Sequence, residues 1–414
     1  MDRPPSHADR QRALDLDAAS PVRHRRDLFC LPDGLVYLDG NSLGALPRSV
    51  PDRMRDVLAR EWGEGLISSW NDAGWIDLPR RVGARIARLL GVDGADVHVG
   101  DSTSVTLFKT MVAACRLRPG RTAVVVERTT FPTDGYVAAG VARLLGVELR
   151  WCDPEDPAAA LDEDVALLAL THVDFRTGAM FDMATLTRAA HDVGALVLWD
   201  LCHSTGAVPV DLVAVDADFA VGCTYKYLNA GPGSPAFVYV APRHQESLDQ
   251  PITGWMGHAR PFDMDLEHVP AEGVARMASG TPPILALASL DAALDVFDGV
   301  EPAALREASL SLTDYFIERV DVRLGDRLEV VTPRERHRRG SQVSLRHPEA
   351  YGVVQALVAR RVVGDFRTPD VARFGFAPLY VTHADVHDAV EHLVEVMDRR
   401  EYARPEYAVR NVVT

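Results

Sequence analysis

Short, continuous apolar runs alternate with amphipathic stretches between about residues 80 and 245. The candidate strands are 122–126 (TAVVV), 165–170 (VALLAL), 195–199 (ALVLW), 218–222 (DFAVG) and 236–240 (AFVYV). Runs of this kind, apolar throughout instead of alternating, predict strands covered on both faces. Before ALVLW, the spacing of Met183, Leu186, Ala190 and Val193 repeats one helix face, and Gly194 stands where a C′ glycine would end the helix. The pattern predicts an α/β domain with a mostly parallel sheet.

The last hundred or so residues read differently. A helix near 302–320 leads to LEVVT (328–332), a basic run RERHRR (334–339) and SQVSLRH (341–347), which together predict a hairpin around a solvated basic turn. Helices near 350–361 and 384–400 flank a loop, DFRTPDVARFGFAPLYVT (365–382). A smaller α+β domain is expected here. The chain then divides into an N-terminal segment (1–60) packing on the small domain, a large domain (61–295) and the small C-terminal domain (296–414).

Composition narrows the classes. The chain carries 44 basic and 59 acidic residues, a net charge of -15, which argues against nucleic acid or an anionic membrane as partner. No run of about eighteen apolar residues occurs, so no transmembrane helix is expected. The polar N-terminus has no apolar h-region and reads as a frayed lead-in. Five cysteines without CxxC spacing point away from a disulfide framework or zinc site and toward a reducing cytoplasm. His258 and His268 fit no ligand spacing, and no metal is expected.

In open α/β sheets ligands sit beyond the carboxyl ends of the strands, and the chemistry concentrates there. Asp200 and His203 follow ALVLW; the plainer reading of Asp200 is a cap for the next turn. Lys226, in GCTYKYLNAGPG (222–233), follows DFAVG. A lysine at the mouth of a buried strand suits an amine that attacks a carbonyl, against the alternative of an ion-paired edge lysine. In GDSTSVTLFKTMVAAC (100–115), Ser102, Thr103 and Ser104 open a helix, either as ordinary caps or as an anion site. Phe131 and Asp134 (FPTD) follow the strand at 122–126, and Phe131 is either a core residue or a surface for a flat cofactor. Together these match what pyridoxal phosphate requires: a Schiff-base lysine, an acid opposite the ring nitrogen and a phosphate site.

With DGNSLG (39–44), EWGEGLISSW (61–70), FPTDGY (131–136), WDLCHSTGAVPVD (199–211), TYKYLNAGPG (224–233), GWMGH (254–258) and SGTPP (279–283), the chain resembles the kynureninase family over nearly its whole length. The resemblance implies fold type I, the aspartate aminotransferase-like fold of pyridoxal phosphate enzymes. It implies hydrolysis of the Cβ–Cγ bond of L-kynurenine to anthranilate and L-alanine. Carried across, Lys226 holds the cofactor and moves protons, and Asp200 pairs with the ring nitrogen beside His203. Phe131 stacks on the ring, while Thr103, Ser104, Asp134, Thr171 and Tyr225 surround the phosphate and its neighbours. Tyr225 is also a candidate acid. Trp255 and Thr281 match positions that reach in from the other subunit of a homodimer with shared active sites. Arg373 matches the partner of the substrate α-carboxylate; Asn41, Ser42 and Trp62 are further substrate contacts.

Thr106, Met256 and Thr281 depart from residues expected in many relatives and leave open kynurenine against its 3-hydroxy form. Among rivals, a cysteine desulfurase needs a mobile late cysteine, and no cysteine follows Cys223. A transaminase of the same fold would instead accumulate the amine form of the cofactor. A binding protein on a degenerate scaffold would have lost Lys226 or Asp200.

Overall fold

The computed structural model describes residues 7–410. Its strands are β1 (Val36–Tyr37), β2 (Val97–Val99), β3 (Ala123–Glu127), β4 (Glu148–Cys152), β5 (Val165–Thr171), β6 (Leu196–Asp200), β7 (Phe219–Gly222), β8 (Phe237–Val240), β9 (Glu329–Val330), β10 (Gln342–Arg346), β11 (Val362–Val363), β12 (Asp365–Arg367) and β13 (Val371–Gly375). Seven of them form one sheet in the order β2–β8–β7–β6–β5–β3–β4. The run from β4 through β3, β5 and β6 to β7 is parallel, whereas β8 and β2 add antiparallel pairs at one side.

All five expected strands are present, and β3, β5, β6, β7 and β8 are buried at every position. Two strands of this sheet have no counterpart in the sequence reading. The edge strand β4, ELRWC, exposes its first residue and Trp151, so its polar positions dilute the apolar signal. The other, β2, is only three residues long. Helix Met183–Asp192 ends as expected, with Gly194 at a φ of 77°, in the left-handed region that glycine adopts without a Cβ clash.

A second, antiparallel sheet has the order β12–β13–β10–β9. The expected hairpin is β9–β10. The stretch expected as a loop is instead largely the pair β12–β13. Charged residues at 365, 367, 370 and 373 hide an apolar signal there, yet Asp365 and Arg373 are register partners that neutralise each other across the strands. Helices Pro302–Leu324, Ala350–Ala359 and His383–Asp398 accompany this sheet, and Phe316 packs 5.3 and 5.2 Å from Phe374 and Phe376.

Two expectations need correction. The basic turn is solvated over 334–338, but Arg339 is fully buried. It donates to the Thr313 hydroxyl, the Arg334 carbonyl and the Asp314 carboxylate, so its charge is compensated inside. The N-terminal lead-in is not frayed over His7–Ala19, which forms a helix; residues 1–6 of that stretch lie outside the described residues. The helix packs on His383–Asp398, buries Ala13, and places Asp17 to accept the N–H groups of His383 and Ala384 at 2.6 and 3.0 Å. Further on, β1 pairs in parallel with β11, and Asp39 bridges to Gly375.

Candidate active site

The parallel strands bring their carboxyl ends to one edge, where Thr171 at the end of β5 is the register partner of Asp200 at the end of β6. Lys226 lies just beyond β7, the next strand. Its Nζ donates to His203 Nε2 at 2.9 Å, and His203 Nδ1 faces Gln342 Oε1 at 3.2 Å. Burial, then the neighbouring Lys226 charge, holds His203 well below its usual pKa. The imidazole is therefore neutral, with Nε2 accepting and Nδ1–H donating to Gln342. Lys109 gives a contrast: it is buried too, but its ammonium is committed to Asp101 and the Met277 carbonyl, each at 2.6 Å.

Asp200 accepts the backbone N–H of Cys202 at 2.8 Å. Beside it, Asp134 accepts from Thr130 and Thr171 at 3.1 and 3.3 Å. Burial and the Asp200 charge push the Asp134 carboxyl well above its ordinary range, which leaves the pair sharing one negative charge. Phe131, the residue before helix Pro132–Leu145, keeps 45 % of its surface exposed. Its ring meets Phe175 edge-on at 5.3 Å and lies 6.0 Å from Lys226 Nζ. Thr103 opens helix Thr103–Arg116, which Ser102 caps by accepting the Val105 N–H at 3.4 Å.

Opposite these groups stands the second sheet. The buried Arg373 donates through Nε to Asp365 Oδ1 at 2.8 Å, through Nη1 to the Phe175 carbonyl at 2.6 Å, and through Nη2 to Ser42 Oγ at 2.7 Å and to Asp365 Oδ2. Ser42 Oγ donates in turn to Asp365 Oδ2 at 2.6 Å. Asn41 is fully buried; its amide N–H reaches Gln342 Oε1 at 3.4 Å, while its Oδ1 has no partner among the described residues.

One cavity of about 300 Å³ collects Asn41, Ser42, Thr103, Ser104, Phe131, Asp134, Thr171, Asp200, His203, Tyr225, Lys226 and Arg373. Trp62, Trp255 and Thr281 do not line it. Trp62 is 54 % exposed and Trp255 is packed edge-on against Phe262 at 5.7 Å. Thr281 and Met256 line a different cavity of about 580 Å³. The sequence reading missed Arg367 and Phe175, which line the site, and Gln342 and Asp365, which hold its side chains. Reading 365–367 and 371–375 as paired strands would have placed Asp365 opposite Arg373 on one face, with Arg367 two residues along.

Chemically the cavity offers an amine beside a neutral imidazole, a carboxylate pair with one excess charge, an open aromatic face and a hydroxyl-bearing helix start. Pyridoxal phosphate fits this set: its aldehyde matches the amine, its protonated ring nitrogen the acid pair, and its phosphate the helix start. Among the described residues no group of His, Cys, Asp and Glu is arranged to hold a metal.

The chain is 50% identical over 413 residues to kynureninases from Pseudomonas fluorescens and Burkholderia pseudomallei (strain 1106a), covering 98% of this chain and 99% of each relative. A family model, the kynureninase C-terminal domain, matches residues 305–393. Its fold is similar to that of a cysteine desulfurase from Thermococcus onnurineus NA1, with a TM-score of 0.76 at 17% identity over 91% of this chain and 98% of that one. It is equally similar to a C-DES mutant solved with glycine covalently linked to its PLP cofactor, with a TM-score of 0.77 at 17% identity over 91% and 99%.

Proposed function

The chain belongs to the kynureninase family, and from that premise we propose how its own residues divide the work of the reaction. It is a pyridoxal phosphate-dependent hydrolase that cleaves the Cβ–Cγ bond of L-kynurenine, releasing anthranilate and L-alanine. The observation that carries the assignment of roles is Lys226 and Asp200 at the ends of adjacent parallel strands, facing one cavity.

Bound pyridoxal phosphate supplies an electron-withdrawing ring that makes the bonds at the substrate's Cα, and then Cβ–Cγ, labile. Lys226 would hold the cofactor through its amine, and its Nζ would carry protons during the reaction. Neutral His203 keeps that Nζ oriented by accepting its N–H. Asp200 would pair with the ring nitrogen, with Asp134 beside it. Phe131 would cover one ring face, and Thr103 and Ser104 would meet the phosphate. Burial raises the Tyr225 hydroxyl above its ordinary pKa, so at neutral pH it is a proton donor for the cleavage step. Arg373, Ser42 and Asn41 face the substrate's polar end. Water is the second reactant and adds to the γ-ketone.

The site is completed in a homodimer. Trp255 and Thr281 lie outside their own chain's cavity, and their neighbourhood presents exposed apolar side chains: Ile252, Phe262, Met264 and Leu266. A second patch, Leu58, Trp62, Leu66 and Ile67, carries the remaining substrate candidate. Apolar surface on this scale suits association. A cytoplasmic location belongs to the same reading, supported by five free thiols. The test is purified enzyme supplied with L-kynurenine and, in parallel, 3-hydroxykynurenine, monitored for anthranilate or its hydroxy form. Absence of either product from both compounds overturns the assignment.

A further inference from the structure

Arg373 has little left to offer a ligand. Of the five N–H donors of a guanidinium, four are committed: one to Phe175, one to Ser42 and two to Asp365. Arg367 stands beside it on the same face of the sheet, lines the same cavity, and leaves more of its donors uncommitted. Besides an ion pair from Nη2 to Asp365 it makes two hydrogen bonds, from Nη1 to the Phe366 carbonyl at 3.3 Å and from Nη2 to Ser42 Oγ at 3.2 Å. Its Nε is buried without a partner among the described residues. A buried charged donor left unpaired is costly, so a small rotation of the guanidinium toward an entering acceptor is favoured.

Charge points the same way. Arg367 and Arg373 both pair with Asp365, at 2.6 Å for Arg367, so two guanidiniums share one buried carboxylate. The other acid nearby, Asp39, is pushed to about 7 by burial and then by the Asp365 charge, and adds at most part of a charge at neutral pH. The cluster is therefore short of one anion. Both guanidiniums donate to Ser42 Oγ, which gives its own proton to Asp365, so the two forks lie side by side at the cavity wall.

We propose that Arg367 is a second guanidinium for the substrate's α-carboxylate, completing with Arg373 and Ser42 a seat that reads a single negative charge. This rests on the family's substrate, an amino acid with one α-carboxylate. Asp365 is the clamp that keeps the two like-charged groups side by side. Arg373 anchors from within, and Arg367 supplies the free donors. The seat thereby separates amino acids from the corresponding amines, which lack the anion it needs.

The test compares wild-type holoenzyme with Arg367→Gln and Arg367→Lys on L-kynurenine, with the decarboxylated amine of the same compound as competing ligand. For Arg367→Gln, KM for L-kynurenine rises about 10- to 100-fold, the range of a lost charge-assisted hydrogen bond. The cofactor absorbance is unchanged, and the inhibition constant of the amine stays within about twofold of wild type. Arg367→Lys recovers part of the loss, as a point charge without the fork. An unchanged KM in Arg367→Gln overturns the proposal. Equal weakening toward the amino acid and the amine overturns it as well, by assigning Arg367 a structural role. If the wild type itself turns over no kynurenine, the family reading fails instead, a result separable from both.

Discussion

Lys226 is placed before any ligand arrives, because its Nζ already donates to a histidine that burial keeps neutral. Lys226→Ala is expected to lower turnover by at least about 1,000-fold, as for other groups at the centre of a reaction. Borohydride should attach cofactor to the wild type, read as a mass increase, and add nothing to the variant; wild-type turnover in the variant would remove Lys226 from its role. Two buried acids make a second prediction. Burial pushes both Asp39 and Glu127 to about 7. A carboxyl raised in the folded state contributes stability below its unfolded pKa and loses it as pH rises through 7. Thermal unfolding should therefore shift to lower temperature between about pH 5 and 8, and Asp39→Asn with Glu127→Gln should flatten that slope. Lys226, Asp200 and Phe131 were legible in the sequence because each follows an apolar run that announces a buried strand. Arg367 and Asp365 were not, because charged residues in a short strand look like a loop until their cross-strand partners are known.

At the scale of elements, the N-terminal DGNSLG stretch meets the lysine segment directly. The Gly44 N–H donates to the Tyr225 carbonyl at 2.7 Å, and a Cβ on Gly44 would come within 2.2 Å of the Lys226 carbonyl oxygen. No side chain fits there without moving the backbone that carries the reactive amine. On the other flank of the segment, the Tyr227 hydroxyl donates to the Ser341 carbonyl at 2.9 Å. Tyr227 is thus a tie to the second sheet, whereas Tyr225 lines the cavity. Gly44→Ala is expected to weaken cofactor retention by about tenfold or more, in line with the cost of forcing extra volume into a packed contact. Absorbance titration with pyridoxal phosphate measures it, with far-UV circular dichroism as the check that the chain remains folded; unchanged retention would show that the segment moves independently of the lysine. The motif was readable from the sequence, but its contact was not, since a stretch of chain carries no record of the distant backbone it approaches.

For the whole molecule, the α/β sheet was visible because its central strands are apolar up to their carboxyl-terminal residues. The second sheet was only half visible: the β9–β10 hairpin could be read, the β12–β13 pair could not. Shared sites give a prediction that neither element alone can make. If Trp255 serves the partner's cavity, Trp255→Ala and Lys226→Ala are each inactive alone. Mixed after reversible dissociation, they should recover roughly a quarter of wild-type turnover, from random pairing into a two-fold dimer with one intact site per hybrid. No recovery would remove Trp255 from the shared site, and an active monomer in sedimentation would remove the dimer.

The cavity takes its walls from chain positions as far apart as Asn41 and Arg373. During synthesis the strands bearing Asp200 and Lys226 leave the ribosome well before β13 does, because chains emerge N-terminus first. A nascent chain can therefore present its amine and acid to the cofactor while the seat for the substrate's carboxylate is still being translated. Uptake of cofactor can precede competence for substrate.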